Sequence, residues 1–365
     1  MNAPAFTLFR YIAMRALFGI GGLLLILLCL ILLIDLIENL RFTGKVEDAG
    51  LPVAISLTLL RAPALAQTLI PFVFLFGSIW MFYQLNKRSE LSVMRSAGLS
   101  VWRVLGPAAL IAALSGLLII TIVDPVSSQM LSYAETLKNQ KQGKTRDLVK
   151  VFRDGIWLRQ RNDAAHVIIN AQSHDRARGA LVEVSVWRFS PESAFIERID
   201  ADEAVLAGAT MELRGARITA PNDELRRAPV YALQTELTSD DLNERVQAPE
   251  TISIWRLPRF IELAETAGLP TVRYQIRFHD LCATPLKLLA MVLIAAAFSM
   301  RPMRMGGQLQ LVVLSIGAGF ALYILSEIST ALGESELAPV ALAAWAPAVI
   351  AALAAGSVLL HLEDG

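Results

Sequence analysis

The sequence predicts a membrane α-helical protein with a β insert, in which six transmembrane helices stand three on each side of one polar domain. Three observations predict it. Of 365 residues, 55% are apolar and only 18% are charged, whereas a soluble domain has about 45–50% and about 25%. Mean hydropathy is +0.50. The apolar residues gather in long runs at the two ends of the chain, and residues 126–270 between them hold no run long enough to cross a bilayer. The charges balance, with 33 basic and 33 acidic residues. That excludes a nucleic-acid binder held by bulk positive charge, and so few charges argue against a disordered chain. Two cysteines exclude a disulfide scaffold and a Cys-based zinc cluster.

The first span is the near-continuous run at residues 12–37. As a helix it is about 39 Å long, enough to cross with tilt. A cleaved signal peptide would be shorter and end at a small-residue site. The second span covers residues 55–85, and the third covers 102–123 and stops at Asp124-Pro125. After the insert come spans at residues 274–300, 308–330 and 339–360. With the N-terminus inside, the inner segments carry Arg10, Arg15, Lys87, Arg88, Arg95, Arg103, Arg301 and Arg304, while the short outer loops carry only Arg41 and Lys45 beside Glu47, Asp48, Glu334 and Glu336. The positive-inside rule then sets both termini in the cytoplasm and the insert outside.

The insert reads as β. Residues 151–159 predict a hairpin around Asp154-Gly155. Residues 166–169, 181–187, 211–214 and 230–234 are short strands, parted by turn residues at Arg178-Gly179, Ser190-Pro191, Ala207-Gly208 and Pro221-Asn222-Asp223. Such spacing suggests a sandwich or jelly roll. Residues 257–267 turn helical and amphipathic and lead into the fourth span.

The loop between spans two and three reads Arg88-Ser89-Glu90-Leu91-Ser92-Val93-Met94-Arg95-Ser96-Ala97-Gly98. Positive-inside anchoring accounts for its basic residues alone. Leu91, Met94 and Leu99 suit one face of a short helix that Gly98 ends. This loop, with a Pro-containing second span before it, resembles the LptF/LptG family of lipopolysaccharide export permeases. The order of further segments extends the resemblance over essentially the whole chain. These are Arg10-Tyr11-Ile12, the ending Asp35-Leu36-Ile37-Glu38-Asn39-Leu40-Arg41, Arg273-Tyr274-Gln275, Pro285-Leu286, Pro302 with Met305-Gly306-Gly307, and Gly319-Phe320 with Tyr323-Ile324-Leu325. The first-span ending and the Arg-Ser-Glu-Leu loop are most like LptG-type members.

The resemblance implies residues 1–125 as spans one to three with a cytoplasmic coupling helix at about 87–99, residues 126–270 as a periplasmic jelly-roll-like domain, and residues 271–365 as spans four to six. It implies an inner-membrane permease subunit paired with an LptF-like homologue above two copies of an LptB-like ATPase. That ATPase would bind ATP and Mg, and this chain itself would carry no cofactor. The pair would extract lipopolysaccharide through gates at spans one and five and pass it to an LptC-like membrane-anchored protein and a periplasmic bridge. Arg88, Ser89, Glu90, Leu91, Met94, Arg95 and Gly98 would then couple the chain to the ATPase.

No enzyme chemistry is legible in the residues. Gly143-Lys144-Thr145 has the ending of a P-loop, but Lys138 stands where its first glycine belongs. Ser315 has Val313 where a nucleophile elbow needs its preceding glycine. The four histidines, His166, His174, His279 and His361, lack metal-ligand spacing.

Charges within the spans are functional candidates because each costs free energy in hydrocarbon. Asp35 and Glu38, three apart, share a face near the outer end of span one, with Arg41 one turn beyond. They either reach interfacial water or gate a phosphorylated headgroup, the role that the resemblance implies for Arg41. Lys287, deep in span four, faces a wet cavity or pairs with an acid, for which Glu327 of span five is a candidate. Ser315, Gly317, Gly319 and Ala321 smooth span five for close packing. Cys29 and Cys282 are small apolar fillers. Two other classes fit the same spans: an ion-gradient-driven transporter of an amphiphile, and a membrane scaffold that does not transport.

Overall fold

A computed structural model describes residues 3–46, 50–141, 150–152, 155–161, 166–175, 180–190, 194–207, 210–221, 225–235, 248–299 and 308–364. Arg301, Arg304, the Met305-Gly306-Gly307 loop, the Gly143-Lys144-Thr145 stretch and the Arg178-Gly179 turn lie outside the described residues. The chain divides into two compact units, Met1–Glu135 with Ile276–Gly365, and Thr136–Gln275.

The first unit holds α1 (Ala3–Thr43), α2 (Leu51–Lys87), α3 (Glu90–Ser96), α4 (Val101–Leu118) and most of α5 (Asp124–Lys141). The second unit supplies β1 (Lys150–Phe152), β2 (Gly155–Arg161), β3 (His166–Asp175), β4 (Ala180–Phe189), β5 (Phe195–Ala207), β6 (Thr210–Thr219), β7 (Arg226–Gln234) and α6 (Leu257–Thr266). Helix α7 (Val272–Ser299) leads back to the first unit, followed by α8 (Gln308–Glu334) and α9 (Val340–Asp364). Among the described residues, six helical segments are long and apolar enough to cross a membrane.

Helices pack closely where side chains vanish. A Cβ on Gly77 of α2 would stand 2.8 Å from the Ile20 Cα of α1, and one on Gly116 of α4 would overlap Pro285 of α7. Such small-residue contacts replace the hydrophobic drive that lipid does not supply. The apolar core of the unit centres on Leu75, Phe82, Leu85, Leu105 and Leu288. The third span does not stop at Asp124-Pro125. A π-helical turn at Ile119–Val123 carries it into α5. Pro125 lacks the N–H that a continuous helix uses and its ring crowds the preceding turn, and the wider π turn just before it makes room.

In the second unit the seven described strands pair antiparallel in chain order, β1 through β7. That is a meander. No described pair makes the crossover of a Greek-key jelly roll, because short connections favour next-neighbour hairpins. The meander folds over instead. Along β4, buried residues step by two to Val184 and Val186 but by three from Leu181 to Val184, and the same three-residue step separates Ala201 from Ala204 in β5 and Leu213 from Ala216 in β6. A step of three moves the inward face to the other side of the pleat. At that row the ladder skips Gln172, Glu183, Asp202 and Gly215. Glu183 and Gly215 take the left-handed conformation, at φ 50° and 69°. Pro229, which offers no N–H, falls opposite Gly215 in the register of β6 and β7.

One contact confirms the fold. Arg188 Nη1 donates to the Tyr231 hydroxyl at 2.9 Å, although β4 and β7 are three strands apart, about 14 Å on a flat sheet. Arg188 also pairs with Glu197, which accepts from Tyr231 at 3.0 Å. Burial and Glu197 together push the Tyr231 hydroxyl above its ordinary pKa of 10.0. On the opposite face of the sheet, Trp157 and Trp187 stack with centroids 5.6 Å apart.

Candidate functional site

Two polar clusters and one cavity in the first unit concern span one. The first cluster lies toward the α1–α2 connection. Asp35 sits about 12 Å below the end of α1, and Arg61 about 15 Å below the start of α2, at the helical rise. The two chains run antiparallel, so the residues meet at one depth. Arg61 Nη1 is 2.6 Å from Asp35 Oδ1. Asn39 Nδ2 donates to Asp35 Oδ2 at 2.7 Å and to Thr58 Oγ1 at 3.0 Å. Asp35 is 5% exposed and Asn39 2%, while a third of the Arg61 side chain remains open. The carboxylate is thus consumed by fixed partners, and Arg61 is the partly open member of the pair.

This separates residues that the sequence reading put on one face. Asp35, Asn39 and Thr43 turn inward, while Glu38 and Arg41 are exposed. Arg61 carries no conspicuous motif. Its signal is that it is the sole charged residue between Leu51 and Asn86, and such a charge needs a partner.

Lys287 is paired within its own helix, with Asp280 two turns earlier, rather than with Glu327. Glu327 is exposed on α8 beside Tyr323. A second buried pair joins Arg277 Nη2 of α7 to Asp124 Oδ1 at 3.1 Å, at the start of α5. The smooth stretch of α8 is partly a packing surface within the chain, since Gly319 abuts Leu75 of α2, while Gly317 faces open space. Cys29 is exposed on α1.

At the opposite end of span one, α3 is a separate short helix. Its C-terminus closes with Leu99 N–H to Met94 O at 3.1 Å and Gly98 N–H to Arg95 O at 3.0 Å, with Gly98 at φ 77°. This is the Schellman pattern, which the sequence signals by Gly98. Leu91 and Met94 are buried. Arg88, Ser89, Ser92, Val93, Ser96, Ala97 and Gly98 are exposed, and Arg95 is half-buried. Glu90 faces span one and accepts from Tyr11. Between the two ends, Phe18, Gly22 and Ile26 of α1, Phe76 and Trp80 of α2 and Ile316 of α8 line an apolar cavity of about 810 Å³.

Six membrane-length helices among the described residues, with a β meander inserted in the chain between the third and the fourth, define a multi-pass membrane protein. Residues 10–361 match the model of the family described as lipopolysaccharide export system permease LptF/LptG. The chain is also 26% identical over 341 residues, 91% of each chain, to the lipopolysaccharide export system permease protein LptG of Haemophilus influenzae. The chain belongs to the LptF/LptG family, and is a non-catalytic permease subunit of lipopolysaccharide export in the inner membrane.

Proposed function

We propose that the chain is one of two homologous permeases that extract lipopolysaccharide from the inner membrane under the drive of a separate ATPase. An LptF-like homologue is its pair. Two copies of an LptB-like ATPase, which bind ATP and Mg, dock against α3. An LptC-like membrane-anchored protein receives the lipid. Both termini are then cytoplasmic, as the basic residues direct, and the β unit is periplasmic.

The observation that carries this reading is α3. It is a helix of its own, closed at its C-terminal end and held to the unit by Leu91 and Met94, yet its face at Ser92, Val93, Ser96 and Ala97 is uncovered. An apolar Val93 left 65% exposed between basic Arg88 and Arg95 suits a partner better than solvent. At the other end, Arg61 and Arg41 meet the phosphates of the headgroup, with Asp35 and Asn39 orienting Arg61. Guanidinium suits this role through its planar set of donors. Glu38, Lys287 and Glu327 belong to the gate or cavity of the same path.

Affinity purification of the tagged chain from its native membrane in mild detergent tests the reading. The expected result is co-purification of an ABC-type ATPase and a second six-span homologue, with lipopolysaccharide bound. Recovery of the chain alone, under conditions that hold a known ABC complex together, contradicts it.

A further inference from the structure

Glu90 turns away from the uncovered face of α3 and toward span one. The Tyr11 hydroxyl donates to Glu90 Oε2 at 2.7 Å. Arg15 Nη2 lies 3.6 Å from Glu90 Oε1, and its guanidinium stands 5.0 Å from the Tyr11 ring centroid. The three side chains form one charged and aromatic knot between two elements that share no backbone connection.

The position of the knot on α1 matters. Tyr11, Arg15, Phe18, Gly22 and Ile26 follow one another at steps of four, three, four and four. That spacing lays them along one stripe of the helix. The stripe is therefore continuous from the knot to the cavity wall, where Phe18, Gly22 and Ile26 stand. The neighbouring stripe, Ile12 and Ala16, is fully buried in the core, so a force at Tyr11 and Arg15 acts on a helix that is pivoted against the unit. At both ends of α3 the backbone is left-handed, at Ser89 (φ 57°) and Gly98 (φ 77°). Ser89 has no side-chain hydrogen bond to cap the helix. Such positions are strained for a residue with a Cβ and gather at places that move.

We propose that the Tyr11–Glu90–Arg15 knot is the link by which movement of α3 reaches the cavity wall on span one, with Glu90 and Tyr11 as positioning residues. The inference rests on the reading that an ATPase moves α3. It differs from a docking role for Glu90, because the carboxylate's contacts are inside the chain.

The test uses the full chain, with Cys29 and Cys282 replaced by Ala and a single cysteine at Ile26, in native membranes and in the purified complex. Tyr11→Phe and Glu90→Gln are compared with the parent. The expected result is a maleimide labelling rate at position 26 that changes severalfold in both variants, assembly retained, and lipopolysaccharide released per ATP reduced about tenfold, the scale of one charge-assisted hydrogen bond. The exchange Arg15→Glu with Glu90→Arg restores release, which a purely structural loss does not predict. Unchanged labelling, or parental release in Tyr11→Phe, overturns the link. If the parent itself neither holds an ATPase nor releases lipid, the proposed function fails, and the labelling still decides. A change at position 26 supports the link, and no change overturns it.

Discussion

Each unit of the molecule holds an arginine tied to a carboxylate and a hydroxyl or amide, in very different surroundings. In the membrane unit Asp35 is 5% exposed and bound by Arg61 and Asn39. In the β unit Glu197 is 16% exposed, with Arg188 and Tyr231. The partners are alike, but the cost of losing one is not. A charge stranded away from water keeps its desolvation penalty, whereas one that water reaches is rescued in part. The comparison teaches that the Asp35 cluster fixes a geometry, while the Arg188 cluster clasps a fold that its strands already favour.

The sharpest way to break the comparison is Arg61→Met. It strands the buried Asp35 carboxylate with Asn39 as its remaining described partner and should cost about 3 kcal/mol, read as a lower melting midpoint in detergent. Replacing both partners, Asp35→Leu with Arg61→Met, should recover most of the loss. If Arg61→Met melts like the parent, the cluster is hydrated and the contrast fails.

Next in size is Gly77→Leu, where the side chain must displace Ile20. Overpacking of this kind costs about 1–3 kcal/mol and should loosen α1 from α2. Gly21→Ala is its control, because nothing lies within 4 Å of the added carbon.

Tyr231→Phe should cost about 1 kcal/mol, measured by urea unfolding followed by tryptophan fluorescence. The sign of its pH dependence is fixed. The hydroxyl's pKa is raised in the folded state, so above 10.0 the unfolded chain loses this proton first. Its contribution is full below that pH and is lost as pH rises through the folded value. Tyr231→Phe should flatten the alkaline fall, and an unchanged profile assigns the fall elsewhere.

The smallest effect has the opposite sign. Glu183→Gly removes a left-handed non-glycine residue at the fold row and should stabilise by up to about 1 kcal/mol, seen as a higher urea midpoint. A loss there would mean that the Glu183 side chain holds the row.

The sequence made the spans legible because hydrocarbon demands long apolar runs, and an amphipathic α6 legible through its period. It made the α3 terminus legible because Gly98 suits a left-handed closure. It did not reveal the folded meander. That depends on a three-residue burial step shared by β4, β5 and β6, which is visible only once the register aligns Leu181, Ala204 and Leu213. Within the site, Asp35 and Lys287 stood out as charges, but their partners did not. Arg61 is 26 positions from Asp35, and pairing it requires knowing that the hairpin sets both at one depth. Glu327 was the wrong neighbour for Lys287, since Asp280 was available two turns away on the same helix. Tyr11 and Glu90 are 79 residues apart, beyond any local pattern.

The most direct measurement of the central claim is transfer of lipopolysaccharide out of proteoliposomes holding the purified complex, with ATP and a soluble acceptor, for the parent and for Arg61→Ala. The account predicts release that requires ATP, persists when ion gradients are collapsed, and falls in Arg61→Ala while hydrolysis continues. Release that needs no ATP and stops with the gradient would contradict it.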